Sequence, residues 1–163
     1  MPQDFSIRPN RIPWPPLIYL AAVVVALVLD LLWPLPAAGW TPPGWLRPLA
    51  LALAAAGIAL DLAAMATMRR AHTNILPHRG ADRLLTDGVF ALSRNPIYLG
   101  NTLLLAGVGL ALPSAWMVAA ALVAAWLVDR LAIRREERHL AARFGAAYAA
   151  YVARVPRWLR LRR

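Results

Sequence analysis

Three observations predict an all-α, polytopic membrane protein with about four transmembrane helices and a C-terminal amphipathic helix. Hydrophobic residues make up 60% of the 163-residue chain. They run in long blocks rather than in the broken stripes of a soluble core. Once those blocks are threaded through a bilayer, seventeen of the eighteen arginines fall on one side. Four spans of ~20 residues use about half of such a chain, so one domain with short connections is expected over residues 1–163.

Residues 1–16 carry Asp4 and several prolines but no small-residue cleavage pattern, so the first span is expected to be retained. That span is the apolar block 17–35, interrupted by Asp30 and closed by Pro34 and Pro36. The second is 46–68, reached through a turn whose Trp33, Trp40 and Trp45 suit a membrane interface. The third block, 96–133, is too long for one crossing, and Pro113-Ser114 divides it into a tight hairpin of spans 96–112 and 114–133. A loop over 69–95 precedes the hairpin. Beyond it, Leu140, Phe144, Tyr148 and Val152 recur every four residues, the stripe of an amphipathic helix over 134–152 that Gly145 is placed to bend.

Arginines occur twice before the first span, once in the first connection, five times over 69–94 and ten times from Arg130 onward. The positive-inside rule then puts both termini and the 69–95 loop in the cytosol, and the inner membrane of a bacterium is the expected location. The net charge of +10 is carried without any nucleic-acid-binding signature, so anionic lipids are the expected partner and nucleic acid is not. With no cysteine, thiolate catalysis and disulfides are excluded. His72 and His78 lack ligand spacing, so no metal site is expected.

The chemistry-bearing stretch is T-N-I-L-P-H-R-G-A-D-R-L-L-T-D-G-V-F-A-L-S-R-N-P-I-Y-L-G, residues 73–100. Asn95 suits a helix N-cap and Pro96 the first helical position. The free N–H groups near Ile97 and Tyr98 then form an anion site, with Arg94 beside it. An ordinary capped helix with a snorkelling arginine accounts equally for these residues. The hairpin supplies a second element. Eighteen residues out and twenty-three back, about 27 and 34 Å of helix, return Glu136 beside Asn95. Glu136 has no arginine three or four residues away, whereas Glu137 has Arg134 at i−3 and is expected to pair with it at the surface.

The run L-L-T-D-G-V-F-A-L-S-R-N-P-I-Y-L-G, followed by E-E-R-H-L-A-A-R-F-G-A-A-Y-A-A-Y-V-A-R-V-P, resembles the isoprenylcysteine carboxyl methyltransferase and phospholipid methyltransferase family of integral membrane methyltransferases. The likeness spans residues 73–156. It implies S-adenosyl-L-methionine (SAM) held at the cytosolic end of the hairpin beneath the C-terminal helix. By position it implies cofactor contacts from Leu84, Leu85, Phe90, Asn95, Pro96, Ile97, Tyr98 and Glu136, to which the reading of the helix start adds Arg94. Asn95 stands where the family usually has histidine, and an amide takes no proton at neutral pH. No glycine-rich strand-to-helix fingerprint is present, which excludes a Rossmann-type cofactor fold.

The resemblance implies methyl transfer to a lipophilic acceptor. The residues suggest no base for an amine such as a phospholipid headgroup, which favours a carboxylate or thiol of the isoprenylcysteine kind. Arg130 and Arg134, one turn apart below the hairpin, are candidate substrate contacts or lipid-phosphate contacts. No catalytic side chain is identified. Asp61, inside the second span, is either functional or a helix-to-helix hydrogen bond, whereas Asp30 reads as a solvated helix end. Gly100, Gly107 and Gly109 read as close-packing positions. The rival readings are an NADPH-dependent reductase related to sterol reductases, which carry a similar motif, and a non-enzymatic scaffold binding anionic lipid.

Overall fold

The computed structural model describes residues 14–35, 43–71 and 83–159. His72, His78, Trp40 and most of the first half of the 69–95 loop lie outside the described residues. Five helices follow in order: α1 Trp14–Leu32, α2 Leu46–Arg70, α3 Pro96–Ala111, α4 Ala115–Val128 and α5 Arg134–Arg154. A 3₁₀ turn, Gly88–Ala91, precedes α3, and a π-helical turn, Asp129–Ile133, joins α4 to α5. There is no strand among the described residues.

Local chemistry sets the helix ends. α1 begins three residues before the expected span because Pro15 and Pro16 sit in its first turn, where a missing N–H is no loss. It stops at Leu32, just short of Pro34, which biases the residue before it away from helix. α2 continues to Arg69 and Arg70, whose charges complement the carbonyl end of the helix dipole. Ser114 caps α4 by accepting a hydrogen bond from the Met117 N–H at 2.9 Å. Its hydroxyl also donates to Asp30, so Asp30 is a tie between α1 and the start of α4 rather than a solvated helix end. The Trp116 indole donates to the Trp33 carbonyl at the same edge.

α2 and α3 pack along much of their length through small residues. Ala50, Ala54, Gly57 and Ala64 form the buried face of α2. A Cβ on Gly107 would lie 2.6 Å from the Ala54 nitrogen, and one on Gly57 would lie 2.6 Å from the Gly100 carbonyl. Backbones this close gain dispersion contacts without any difference in hydrophobicity between protein and lipid. α1 packs on the other side, against α4. The core gathers Ile18, Tyr19 and Ala26 with Tyr98, Leu105, Met117 and Ile133. Leu20, Val25 and Leu31 of α1 and Leu122 of α4 point outward and exposed, an apolar surface suited to lipid.

Among the described residues three helices are long and apolar enough to cross a membrane: α1, α2 and the continuous rod from Ala115 to Arg154. α3 is a shorter apolar helix. The rod bends at Gly145, whose φ of 50° is outside the helical range and costs least at glycine. A strict four-residue spacing drifts about 40° per step around a helix of 3.6 residues per turn, so the stripe cannot keep it. Leu140, Phe144 and Tyr148 hold the inner face as expected, but Tyr151 and Val155 continue it, and Val152 is exposed.

Candidate functional site

The segment before α3 is held by the end of α5. Tyr151 donates its hydroxyl to the Phe90 carbonyl at 2.6 Å. The Arg94 N–H donates to the Pro156 carbonyl at 3.0 Å. Both the Ser93 hydroxyl and the Asn95 amide donate to the Arg157 carbonyl, at 3.2 and 3.0 Å. Asn95 therefore occupies the N-cap position without capping: its side chain makes no bond to the helix N–H groups, because its amide is turned to the returning chain. Pro96 is fully buried and Ile97 packs on the core, so these two offer a ligand backbone rather than side chain.

Glu136 and Glu137 both turn toward α3, and the π turn explains why. Seven residues beyond buried Val128, a regular helix would place Arg135 on the inner face. The wider π turn absorbs one residue and brings Glu136 there instead. Glu136 is half-buried and accepts the Tyr98 hydroxyl at 2.6 Å, so the absence of a nearby arginine in sequence did not mean absence of a partner. Burial raises its pKa to about 7, opposed by the Tyr98 hydrogen bond and reinforced by the neighbouring Glu137 charge.

Glu137 departs furthest from expectation. It ignores Arg134 and instead receives Arg94 at 2.9 Å and Arg157 at 2.6 Å, with only 18% of its side chain exposed. Arg157 also reaches Asp129 at 3.1 Å, and Glu137 foremost holds its guanidinium above the ordinary arginine range. Arg134 pairs with Asp129 because the π turn sets those two side by side. The network Arg94–Glu137–Arg157–Asp129 thus locks the start of α3 to the chain beyond α5.

Two donors in this cluster are left over. Arg94 Nε and Tyr148 Oη are buried and have no hydrogen-bond partner among the described residues. Burial pushes the Tyr148 hydroxyl up to about 12, with Glu137, Arg94, Arg157 and Glu136 all close enough to act on it. Such donors normally find a partner, so they fit a ligand presenting an anionic oxygen beside the Glu136 carboxylate. Leu84 and Leu85 line a cavity of about 370 Å³ with Thr67, Arg70 and Asp87. Leu84 also packs on the cluster of Tyr148, Tyr151 and Val155, and the Phe90 carbonyl is held by Tyr151.

The structure thus brings together Arg94, Tyr98 and Glu136, joined at one edge by Asn95, with Leu84 on the Tyr148–Tyr151–Val155 cluster and Phe90 tied to Tyr151, while Leu85 is placed only in the cavity beside Thr67 and Arg70. It does not bring Arg130 or Arg134 there. Arg130 stacks over the exposed Trp126 ring at 5.7 Å, and Arg134 is an exposed partner of Asp129. Sequence reasoning missed Tyr148 and Arg157. A hydroxyl on the inner stripe of the amphipathic helix was a usable signal for Tyr148. Arg157 gave none, since its role depends on the chain folding back.

Helices long and apolar enough to cross a bilayer, ending in a charged, partly buried cluster under a C-terminal helix, define an integral membrane protein. Residues 45–147 match the phospholipid methyltransferase family, and the chain belongs to that family. It is 33% identical over 113 residues to the cobalt-zinc-cadmium resistance protein CzcN of Cupriavidus metallidurans, covering 69% of this chain and 50% of that protein. It is also similar to the eukaryotic intramembrane Ras methyltransferase ICMT (isoprenylcysteine carboxyl methyltransferase), with a TM-score of 0.61 and 26% identity over 90% of this chain and 52% of that one. The chain spans about half the length of either relative.

Proposed function

We propose that the protein transfers a methyl group from SAM to a lipophilic acceptor at the cytosolic mouth of the α3–α4 hairpin. The observation that carries this reading is the pair of unpartnered buried donors, Arg94 Nε and Tyr148 Oη, beside the Glu136 carboxylate. The two donors suit the amino-acid carboxylate of SAM, with the backbone N–H groups at the start of α3 adding to them. Glu136 suits its ammonium or ribose hydroxyls, and Leu84, Leu85 and Phe90 give an apolar wall for adenine. Bound there, SAM supplies an electrophilic methyl sulfonium, and the protein's own work is to orient the acceptor and exclude water.

The ion-pair network keeps Arg94 fixed and roofs the site with α5. The acceptor enters from lipid, and the seventeen-to-one arginine distribution supports a cytosolic site with both termini inside, in a bacterial inner membrane. Arg130 and Arg134 face outward, where they suit anionic lipid phosphates better than the acceptor. A lipid-borne carboxylate, thiol or amine is compatible with this arrangement. The half-buried Glu136 and the intramembrane Asp61 are carboxylates able to take a proton from an amine, a role for which the sequence alone names no residue.

Calorimetry of the detergent-purified protein with SAM, S-adenosylhomocysteine and NADPH tests the reading. Binding of the first two and not the third is expected. NADPH binding alone would favour the reductase, and no binding of any of the three would favour the lipid-binding scaffold.

A further inference from the structure

Arg157 comes from the short stretch beyond α5, 63 positions from Arg94 in sequence. Its main chain is nevertheless fastened on both sides of that residue. The Arg157 carbonyl accepts the Ser93 hydroxyl at 3.2 Å and the Asn95 amide at 3.0 Å, and the Pro156 carbonyl before it accepts the Arg94 N–H at 3.0 Å. The two guanidinium groups therefore reach the same carboxylate from neighbouring backbones. Arg157 grips Glu137 as a fork, with Nε donating to Oε1 at 3.0 Å and Nη2 to Oε2 at 2.6 Å. Its remaining Nη1 donates to Asp129 at 3.1 Å, and Arg134 holds the other oxygen of that aspartate at 3.0 Å. The fork is thus anchored at its far end as well.

Arg94 is left with the edge of the carboxylate. Its Nη2 pairs at 2.9 Å with Oε1, an oxygen that already accepts Arg157 Nε. An arginine with a carboxylate to itself commonly takes it through two parallel N–H···O bonds. Glu137 has one such face to offer, and Arg157 occupies it. Arg94 Nε is consequently shut off from solvent with no partner among the described residues. A buried charged donor without a partner costs free energy, and Glu137 could relieve it by turning its open face to Arg94. The grip of Arg157 prevents that turn.

Taking the proposed SAM site as given, we infer that Arg157 is a positioning residue: by occupying both oxygens of Glu137 it keeps Arg94 Nε free for the carboxylate of the methyl donor. Arg157 is not itself a ligand contact, because all three of its side-chain nitrogens are engaged by Glu137 and Asp129. Tyr148 Oη, the second unpartnered donor, serves the other oxygen of the same ligand carboxylate. Charge alone does not perform this role. A lysine would neutralise Glu137 equally, but it is a point charge without the fork and leaves one oxygen for Arg94 to take. Removing Glu137 together with Arg157 removes the competitor, and Arg94 Nε is free again.

The test measures, by calorimetry on the detergent-purified full chain, the affinities for SAM and for decarboxylated SAM, which keeps the ammonium and lacks the carboxylate. The parent is expected to prefer SAM about ten- to hundredfold, the weight of one hydrogen bond to a charged group. Arg157→Met is expected to lose that preference by weakening SAM alone, with the affinity for decarboxylated SAM unchanged. Arg157→Lys makes the same measurement in a chain that keeps a cation in the network, and it is expected to lose most of the preference too. The double variant Arg157→Met/Glu137→Ala is expected to regain it, whereas a merely structural Arg157 would make the second substitution a further loss. Equal weakening of both ligands in Arg157→Met, full preference in Arg157→Lys, no recovery in the double variant, or a parent that binds both ligands equally each overturns the inference while leaving SAM binding in place. Failure of the parent to bind SAM at all is a separate result that removes the methyltransferase reading and this inference with it.

Discussion

Glu136→Gln and Glu137→Gln alter adjacent carboxylates by the same atom, and the structure makes them move stability in opposite directions. Burial lifts Glu136 from 4.5 to about 7. The folded protein thus holds this proton more tightly than the unfolded chain, so the stabilisation is complete below about pH 4.5 and is lost as the pH rises through 7. At pH 8 the ionised side chain is a burden of about 2 to 3 kcal/mol, allowing for its partial access to solvent. Glutamine removes that burden, and the cofactor-free Glu136→Gln protein should melt higher than the parent at pH 8 by roughly 5 to 10 °C. Glu137→Gln instead strips the shared partner from Arg94 and Arg157. Removing one member of a buried pair costs about 3 to 5 kcal/mol, and the lower end applies because a third of the Arg157 side chain is exposed. Its melting temperature should fall by a similar amount. Thermal unfolding in detergent at pH 8 measures both, and calorimetry on the same samples should find SAM binding weakened about ten- to hundredfold in Glu136→Gln. Melting shifts of the same sign, or parental SAM affinity in Glu136→Gln, would refute the division of roles between the two glutamates.

Tyr98→Phe removes the hydrogen bond that holds Glu136 down. SAM affinity should strengthen as the pH rises and Glu136 ionises, with a midpoint near 7 in the parent and a higher one in Tyr98→Phe; an unmoved midpoint in calorimetry across pH 6 to 9 counts against the pairing. Asn95→Ala should cost about 1 kcal/mol, felt as faster amide hydrogen exchange over residues 155–157, since its amide binds the Arg157 carbonyl rather than the helix start. Equal exchange in both proteins would restore the capping role. Cysteine at Leu112 should label only from outside and at Leu159 only from inside, and labelling of both from one side would overturn the hairpin topology.

The hairpin and the fold class were legible because apolar block length, proline position and arginine placement are local properties. Pro113-Ser114 marks a turn whatever packs around it, and the Arg94-Asn95-Pro96 run starts a helix in any context. What Glu137 and Asn95 do with their side chains was not legible. Local spacing offered Arg134 to Glu137, but Arg94 and Arg157, 43 and 20 positions away, arrive only once α3 and the chain beyond α5 are in place. Asn95 has the composition of a cap and lost that role to a carbonyl that folding delivers. Asp30 was misjudged for the same reason, since Ser114 is its partner only after the hairpin closes. Asp61 keeps both of its readings, with its Oδ1 unbonded among the described residues.

The π turn at Asp129–Ile133 bears on which changes in chain length the protein can accept. An α-helix rarely tolerates the loss of one residue, because everything beyond the gap rotates by about 100°. Here the helix already carries one residue more than a regular winding needs. Shortening it by one within 129–133 would leave Glu136 two ordinary turns from Val128, still facing Tyr98, whereas the same deletion after Arg138 would swing the Tyr148 face out of the cluster. Two chains with the same hydropathy profile, each one residue short, would then differ in whether a site exists. The turn is a place where the loss of one residue can be absorbed without disturbing the chemistry on either side.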